Sequence, residues 1–114
     1  MENQLRVEVQ RDGDVVVLAL SGELDLSSSP EFEAELERID ASGPALVIVD
    51  LRELEFMDST GLSVLVKADQ RAQEAGNRFG LVNGPAPIRR LLSLTGISER
   101  MTVAQTPEEL LGED

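Results

Sequence analysis

The chain has 114 residues, 41% of them hydrophobic, which suits one packed domain and no second one. Its 22 acidic and 10 basic residues leave a net charge of −12, which repels nucleic acid and anionic bilayers, and the three phenylalanines with no Tyr or Trp give no platform for base stacking. The absence of His and Cys excludes a Ser-His-Asp triad, a Cys nucleophile, an imidazole base, thiolate or imidazole zinc sites and disulfides.

Met1-Glu2-Asn3-Gln4 lacks the basic and apolar regions of a signal peptide, and no later run approaches the roughly 18 apolar residues of a membrane span. A cytoplasmic protein is expected. Leu5, Val7 and Val9 alternate with Arg6, Glu8 and Gln10, the period of a strand with one face in water at a sheet edge. Arg11-Asp12-Gly13-Asp14 supplies an Asp-Gly turn, and the apolar run Val15 to Leu20 reads as a more buried partner strand in an antiparallel hairpin. After Gly22-Glu23-Leu24-Asp25 the serines lead to Pro30, and Phe32, Leu36 and Ile39 mark a helical face. Ser29 caps that helix with Pro30 in its first position, or Ser28 caps it with Glu31 closing a capping box.

Ser42-Gly43-Pro44 ends the helix, and Ala45 to Val49 is an apolar, β-branched run that suits a central parallel strand covered on both faces. A second helix is expected from Ser59 to about Ala75, then a strand near Phe79 to Val82. Ile88, Leu91, Leu92 and Thr95 mark a third helix with Gly96 as its stop. Met101 to Ala104 suggests a short last strand, and Thr106-Pro107-Glu108-Glu109 carries the cap, first-position proline and capping-box acid of a terminal helix. The sum is an α/β fold over residues 1–114: a mixed, mostly parallel β-sheet with an antiparallel N-terminal hairpin edge and about four helices.

Asp50 to Leu62 reads as the connection from the central strand to the second helix, at the carboxyl end of a strand, where sites form in open α/β sheets. A plain helix cap would by itself account for Asp58 or Ser59. The apolar residues beyond them take up more of the helix than one core stripe needs: Leu62, Leu65 and Val66 can face the sheet, whereas Val64 falls off that stripe. Val64 and Met57 are therefore expected to form an exposed apolar patch for a protein partner, unless another helix covers Val64.

Other chemistry is poorly supported. Ser63 and Lys67, the only lysine, read as a solvent-facing pair rather than a Ser-Lys nucleophile. Glu31, Glu33, Glu35 and Glu37 do not share one helical face and read as solvated charges. No phosphate-loop or G-x-G-x-x-G pattern is present, so nucleotide binding at Asn83-Gly84-Pro85 or at the second helix is a weak expectation and no cofactor is assigned. Asp12, Asp14, Glu55 and Asp58 lack calcium-loop spacing, and no metal is assigned.

The segment Phe56-Met57-Asp58-Ser59-Thr60-Gly61-Leu62 resembles the phosphoacceptor loop of the STAS family of anti-sigma factor antagonists, the bacterial anti-anti-sigma factors. Gly22-Glu23-Leu24-Asp25, and Ile88-Arg89-Arg90-Leu91-Leu92 followed by Leu94-Thr95-Gly96-Ile97, resemble two further blocks of that family in the same order. The resemblance implies a single STAS-like domain without enzymatic activity. It implies that Ser59 is phosphorylated by an anti-sigma factor that is also a serine kinase of the histidine-kinase-like ATPase fold, with a serine phosphatase reversing the step. The unphosphorylated form would bind that partner and free the sigma factor. Asp25 is implied near the loop, with Met57, Asp58, Thr60, Gly61 and Leu62 as contact positions. The family often has Ser where Thr60 stands, so Thr60 is a second possible acceptor. The alternative within the family is a structural STAS subunit of a larger signalling or lipid-transport assembly.

Overall fold

The hairpin expected at the amino end forms from β1 (Arg6–Asp12) and β2 (Val15–Leu24), paired antiparallel from Arg6 opposite Ser21 to Asp12 opposite Val15. This computed structural model describes residues 4–112, so the Met1 to Asn3 part of the amino-terminal reading lies outside the described residues. The turn is centred on Gly13 and Asp14, one residue beyond the Asp-Gly pair. Gly13 alone takes a positive φ there, +60°, the pattern of a type II′ hairpin with glycine at its first central position. β1 is exposed along most of its length, as an edge strand, while β2 alternates half-buried and buried residues.

From β2 the chain crosses through α1 (Ser29–Ala41) to β3 (Leu46–Met57), then through α2 (Ser59–Ala75) to β4 (Arg78–Val82). It continues through α3 (Ala86–Leu94) and the single-turn α4 (Ile97–Arg100) to β5 (Thr102–Ala104), and ends in α5 (Pro107–Leu111). The sheet runs β1-β2-β3-β4-β5, antiparallel only at β1–β2. Helix α4 joins the four helices expected, entered through Gly96 at φ +80°. Thr106 caps α5 by accepting the Glu109 N–H at 3.4 Å, while the Glu109 carboxylate reaches back to the Gln105 N–H at 3.0 Å. Glu109 therefore serves the residue before the cap, a variant of the reciprocal box.

Apolar side chains divide between two clusters on opposite faces of the sheet. The larger gathers Val16, Leu18, Leu20, Phe32, Leu36, Leu54 and Leu65 with residues of α3 and α4, and the smaller packs Leu110 of α5 on Leu46, Ile48, Val82 and Ala104. Full burial of a side chain such as Leu36 or Phe32 contributes about 1.5–3 kcal/mol. No helix among the described residues is long and apolar enough to cross a membrane.

Three sequence expectations are corrected. Asp50 to Met57 is the second half of β3, not a connecting segment: Glu53, Leu54, Phe56 and Met57 pair with Ser21, Gly22, Glu23 and Leu24, with register shifts between Ala19 and Ser21 and between Gly22 and Glu23. Val64 is 4% exposed, because α1 packs beside α2 and closes the flank that a single core stripe leaves open, and Met57, at the end of β3, is 5% exposed within the same core cluster. The expected apolar patch at Val64 and Met57 does not form. Ser28 holds the N-cap position of α1, but its hydroxyl donates to the Glu23 carbonyl and accepts the Asp25 N–H, both at 2.9 Å, so neither expected capping bond is made.

Candidate functional site

Only Asp58 separates the end of β3 from the start of α2, so the strand delivers Ser59 to the first position of a long helix. The Asp58 side chain works in two directions. Its Oδ1 accepts the Gly61 N–H at 3.0 Å, the ordinary N-cap bond. Its Oδ2 accepts the Leu26 N–H at 3.1 Å, 32 residues away in sequence, and its own N–H donates to the Leu24 carbonyl at 3.2 Å. One carboxylate thus fastens the β2–α1 segment to the first turn of α2. The approach is close: a Cβ on Gly61 would stand 2.6 Å from Leu24 Cγ and 2.9 Å from the Leu24 carbonyl oxygen.

The β2–α1 segment is itself organised by Asp25. Its Oδ1 accepts the Ser27 hydroxyl at 2.8 Å, the Ser27 N–H at 3.0 Å and the Ser28 N–H at 3.1 Å. These bonds, the Ser27 hydroxyl first, hold the Asp25 carboxyl below the usual aspartate range against an opposing desolvation.

Six of the seven positions singled out in the sequence run together from Met57 to Leu62, whereas the Asp25 carboxylate turns to Ser27 and Ser28 and lines a separate pocket with Gln4, Leu5 and Glu31. Ser59 is exposed, and Asp25, Asp58 and Thr60 are partly exposed. Met57 (5%), Gly61 and Leu62 (8%) are buried and shape the site from below. Ser59 and Thr60 line an open groove of about 360 Å³ between α1 and α2, together with Leu26, Ser29, Pro30, Glu33, Ser63, Val64 and Lys67. Lys67 Nζ lies 3.7 Å from Glu33 Oε2 across it. The Ser29 hydroxyl is buried in this wall without a hydrogen-bond partner. Among the described residues no group of acidic side chains could hold a metal ion.

Leu26 is the residue that the sequence reading missed. It is 73% exposed beside the groove and is held there through its own N–H by Asp58. The signal was a leucine between Asp25 and the serines, in a stretch with no strand or helix period to hide it.

Chemically the arrangement offers a solvent-accessible hydroxyl at the positive end of a helix, where backbone N–H groups lack intrahelical acceptors. No imidazole accompanies it as a general base, since the chain has no histidine.

Comparison with known proteins agrees with this geometry. The family model described as the STAS domain matches residues 6–110. The anti-sigma-F factor antagonist RsfB of Mycobacterium tuberculosis is 27% identical over 109 residues, covering 96% of this chain and 88% of the relative. The anti-sigma-B factor antagonist of Bacillus subtilis is 27% identical over 104 residues, covering 91% and 94%. Among solved structures, an anti-sigma factor antagonist from Mycobacterium paratuberculosis superposes with a TM-score of 0.85 at 28% identity, covering 95% of this chain and 92% of that one.

Proposed function

This chain belongs to the STAS-domain family, and we propose that it acts as an anti-sigma factor antagonist whose binding is switched at Ser59. The observation that carries the reading is the exposed Ser59 hydroxyl at the first position of α2, beside the exposed Leu26 that Asp58 holds in place. In this reading the unphosphorylated protein docks on a cytoplasmic anti-sigma factor that is also a serine kinase of the histidine-kinase-like ATPase fold, and the sigma factor is released. Transfer of the ATP γ-phosphoryl group to the Ser59 oxygen ends the interaction, and a serine phosphatase restores it by hydrolysis. The chain is substrate and ligand here, not catalyst.

The physical basis of the switch is a difference in where the new charge must sit. A phosphoserine carries about −1.5 to −2 charges at neutral pH. In the free protein that charge meets the positive end of α2 and open water, so the fold tolerates it. In a docked interface it must be desolvated close to the Asp58 carboxylate, on a chain whose net charge is already −12. A loss of about 3–4 kcal/mol lowers affinity by a few hundredfold to a thousandfold.

The test is incubation with the anti-sigma factor and ATP, followed by peptide mass spectrometry and binding measurements. One phosphate on Ser59, full binding by Ser59→Ala without modification and weak binding by Ser59→Asp are expected. Phosphate on Thr60 or elsewhere, or equal affinity of all three forms, overturns the reading.

A further inference from the structure

Acidic residues are not spread evenly along this chain: none stands between Glu74 and Glu99, a stretch that contains the whole of α3. Helix α3 buries Ile88 and Leu92, with Leu91 half-buried against the same core, and these are sufficient to fix it on the fold. Its other side presents Arg89, Arg90, Ser93 and Leu94 to solvent, with Leu94 78% exposed. Arg90 and Leu94 are one turn apart and adjacent on the surface. Among the described residues neither Arg89 nor Arg90 makes an ion pair or side-chain hydrogen bond, whereas Arg38, Arg52, Lys67 and Arg71 each face a carboxylate.

A single exposed leucine is unremarkable on a protein surface. Two unpaired guanidinium groups on the same helix, one of them adjacent to Leu94, on an acid-free stretch of a chain with a net charge of −12, form a local reversal of the charge along the chain. We propose that the outer face of α3 is a second docking surface, for a protein segment that carries carboxylates around an apolar side chain. Guanidinium groups bind carboxylates through paired N–H donors, and Leu94 supplies an apolar anchor beside Arg90. Nucleic acid and anionic lipid are extended arrays of negative charge that would also meet the rest of a surface with a net charge of −12, whereas a short acidic segment need meet only α3. No α3 residue lines the groove at Ser59, so the two surfaces share no residue.

The probe is a synthetic amphipathic peptide with glutamates flanking a leucine and a phenylalanine, titrated into the full-length, isotope-labelled chain and followed by backbone amide NMR. Saturable shifts centred on α3 are expected, weakening as salt rises. Arg90→Glu and Leu94→Ser each reduce affinity by about tenfold or more, and unchanged amide spectra away from α3 verify that both variants stay folded. Ser59→Asp leaves the titration unchanged, which keeps this result separate from the reading of Ser59. The proposal is overturned by an absence of saturable shifts, by shifts at the groove instead of α3, or by equal binding of a peptide with lysines in place of the glutamates. Shifts of α3 with protein concentration alone, or binding of the chain to phosphatidylglycerol vesicles through α3, would assign the face to a second copy or to lipid and also overturn it.

Discussion

Two sides of α2 divide the work of this protein. The inner side, Gly61, Leu62, Val64, Leu65, Ala68 and Ala72, is sealed against the sheet and α1, and Leu65 has no exposed surface. The outer side carries Ser59, Ser63 and Lys67 into solvent one turn apart. The same backbone therefore couples a rigid, fully packed surface to an accessible hydroxyl. The switch proposed at Ser59 would need this arrangement, because a modified side chain would have to change what docks without changing what holds the helix.

The comparison breaks if inner and outer substitutions have similar effects. The largest expected effect belongs to Leu65→Ala, a fully buried side chain whose removal costs about 2–5 kcal/mol in urea unfolding, with binding affected only through the folded fraction. Gly61→Ala comes next. Its new methyl would collide with Leu24 Cγ and with the Leu24 carbonyl, and the carbonyl belongs to backbone that cannot rotate away. A loss of about 1–3 kcal/mol in the same measurement is expected. A stability equal to the unmodified chain would show that the first turn of α2 can retreat from β2, contrary to the tight seam described above.

Much of this architecture was legible from residue pattern. The alternation at β1, the stripe Phe32-Leu36-Ile39, the stop at Gly96 and the Thr106 cap each state one local rule that the fold obeys. The second half of β3 was not legible. Its burial repeats as two exposed residues and one buried, set by Leu51, Leu54 and Met57, a rhythm that matches neither strand nor helix and arises where an extra residue of β3 at each of two bulges shifts its register against β2. At Val64 the sequence left two outcomes open, an exposed patch or cover by another helix, because a helical stripe reports only the sheet as a neighbour, while helices in one layer also bury their flanks against each other. At the site, the juxtaposition of Leu26 with Ser59 depends on a bond spanning 32 residues, which no local pattern contains.

Asp58 lies at the boundary between the two sides and sharpens the contrast. Asp58→Ala removes the N-cap bond and the tie to Leu26, with an expected loss of about 1–2 kcal/mol on unfolding. Asp58→Asn retains an acceptor for one N–H only. It should restore part of the stability through Gly61 while leaving the Leu26 amide faster in hydrogen exchange. If both variants protect Leu26 as well as the parent chain does, Asp58 is a cap and nothing more.

The smallest expected effect is on pH dependence, and it concerns the loop that carries Leu26. Because the folded Asp25 carboxyl titrates below its ordinary value of about 3.9, its bonds stabilise the loop fully above that value and are lost as pH falls through the lower, folded one. The Ser27 hydroxyl is the leading cause, so Ser27→Ala should raise the Asp25 midpoint toward the ordinary value in a carboxyl NMR titration. Global stability at neutral pH should change by less than about 0.5 kcal/mol, as for other exposed substitutions. An unmoved midpoint would remove the hydroxyl from the set of bonds that order this loop. The Ser27 and Ser28 amides, the Ser28 hydroxyl and Asp58 would then hold the segment beside Ser59 without a contribution from the Ser27 hydroxyl.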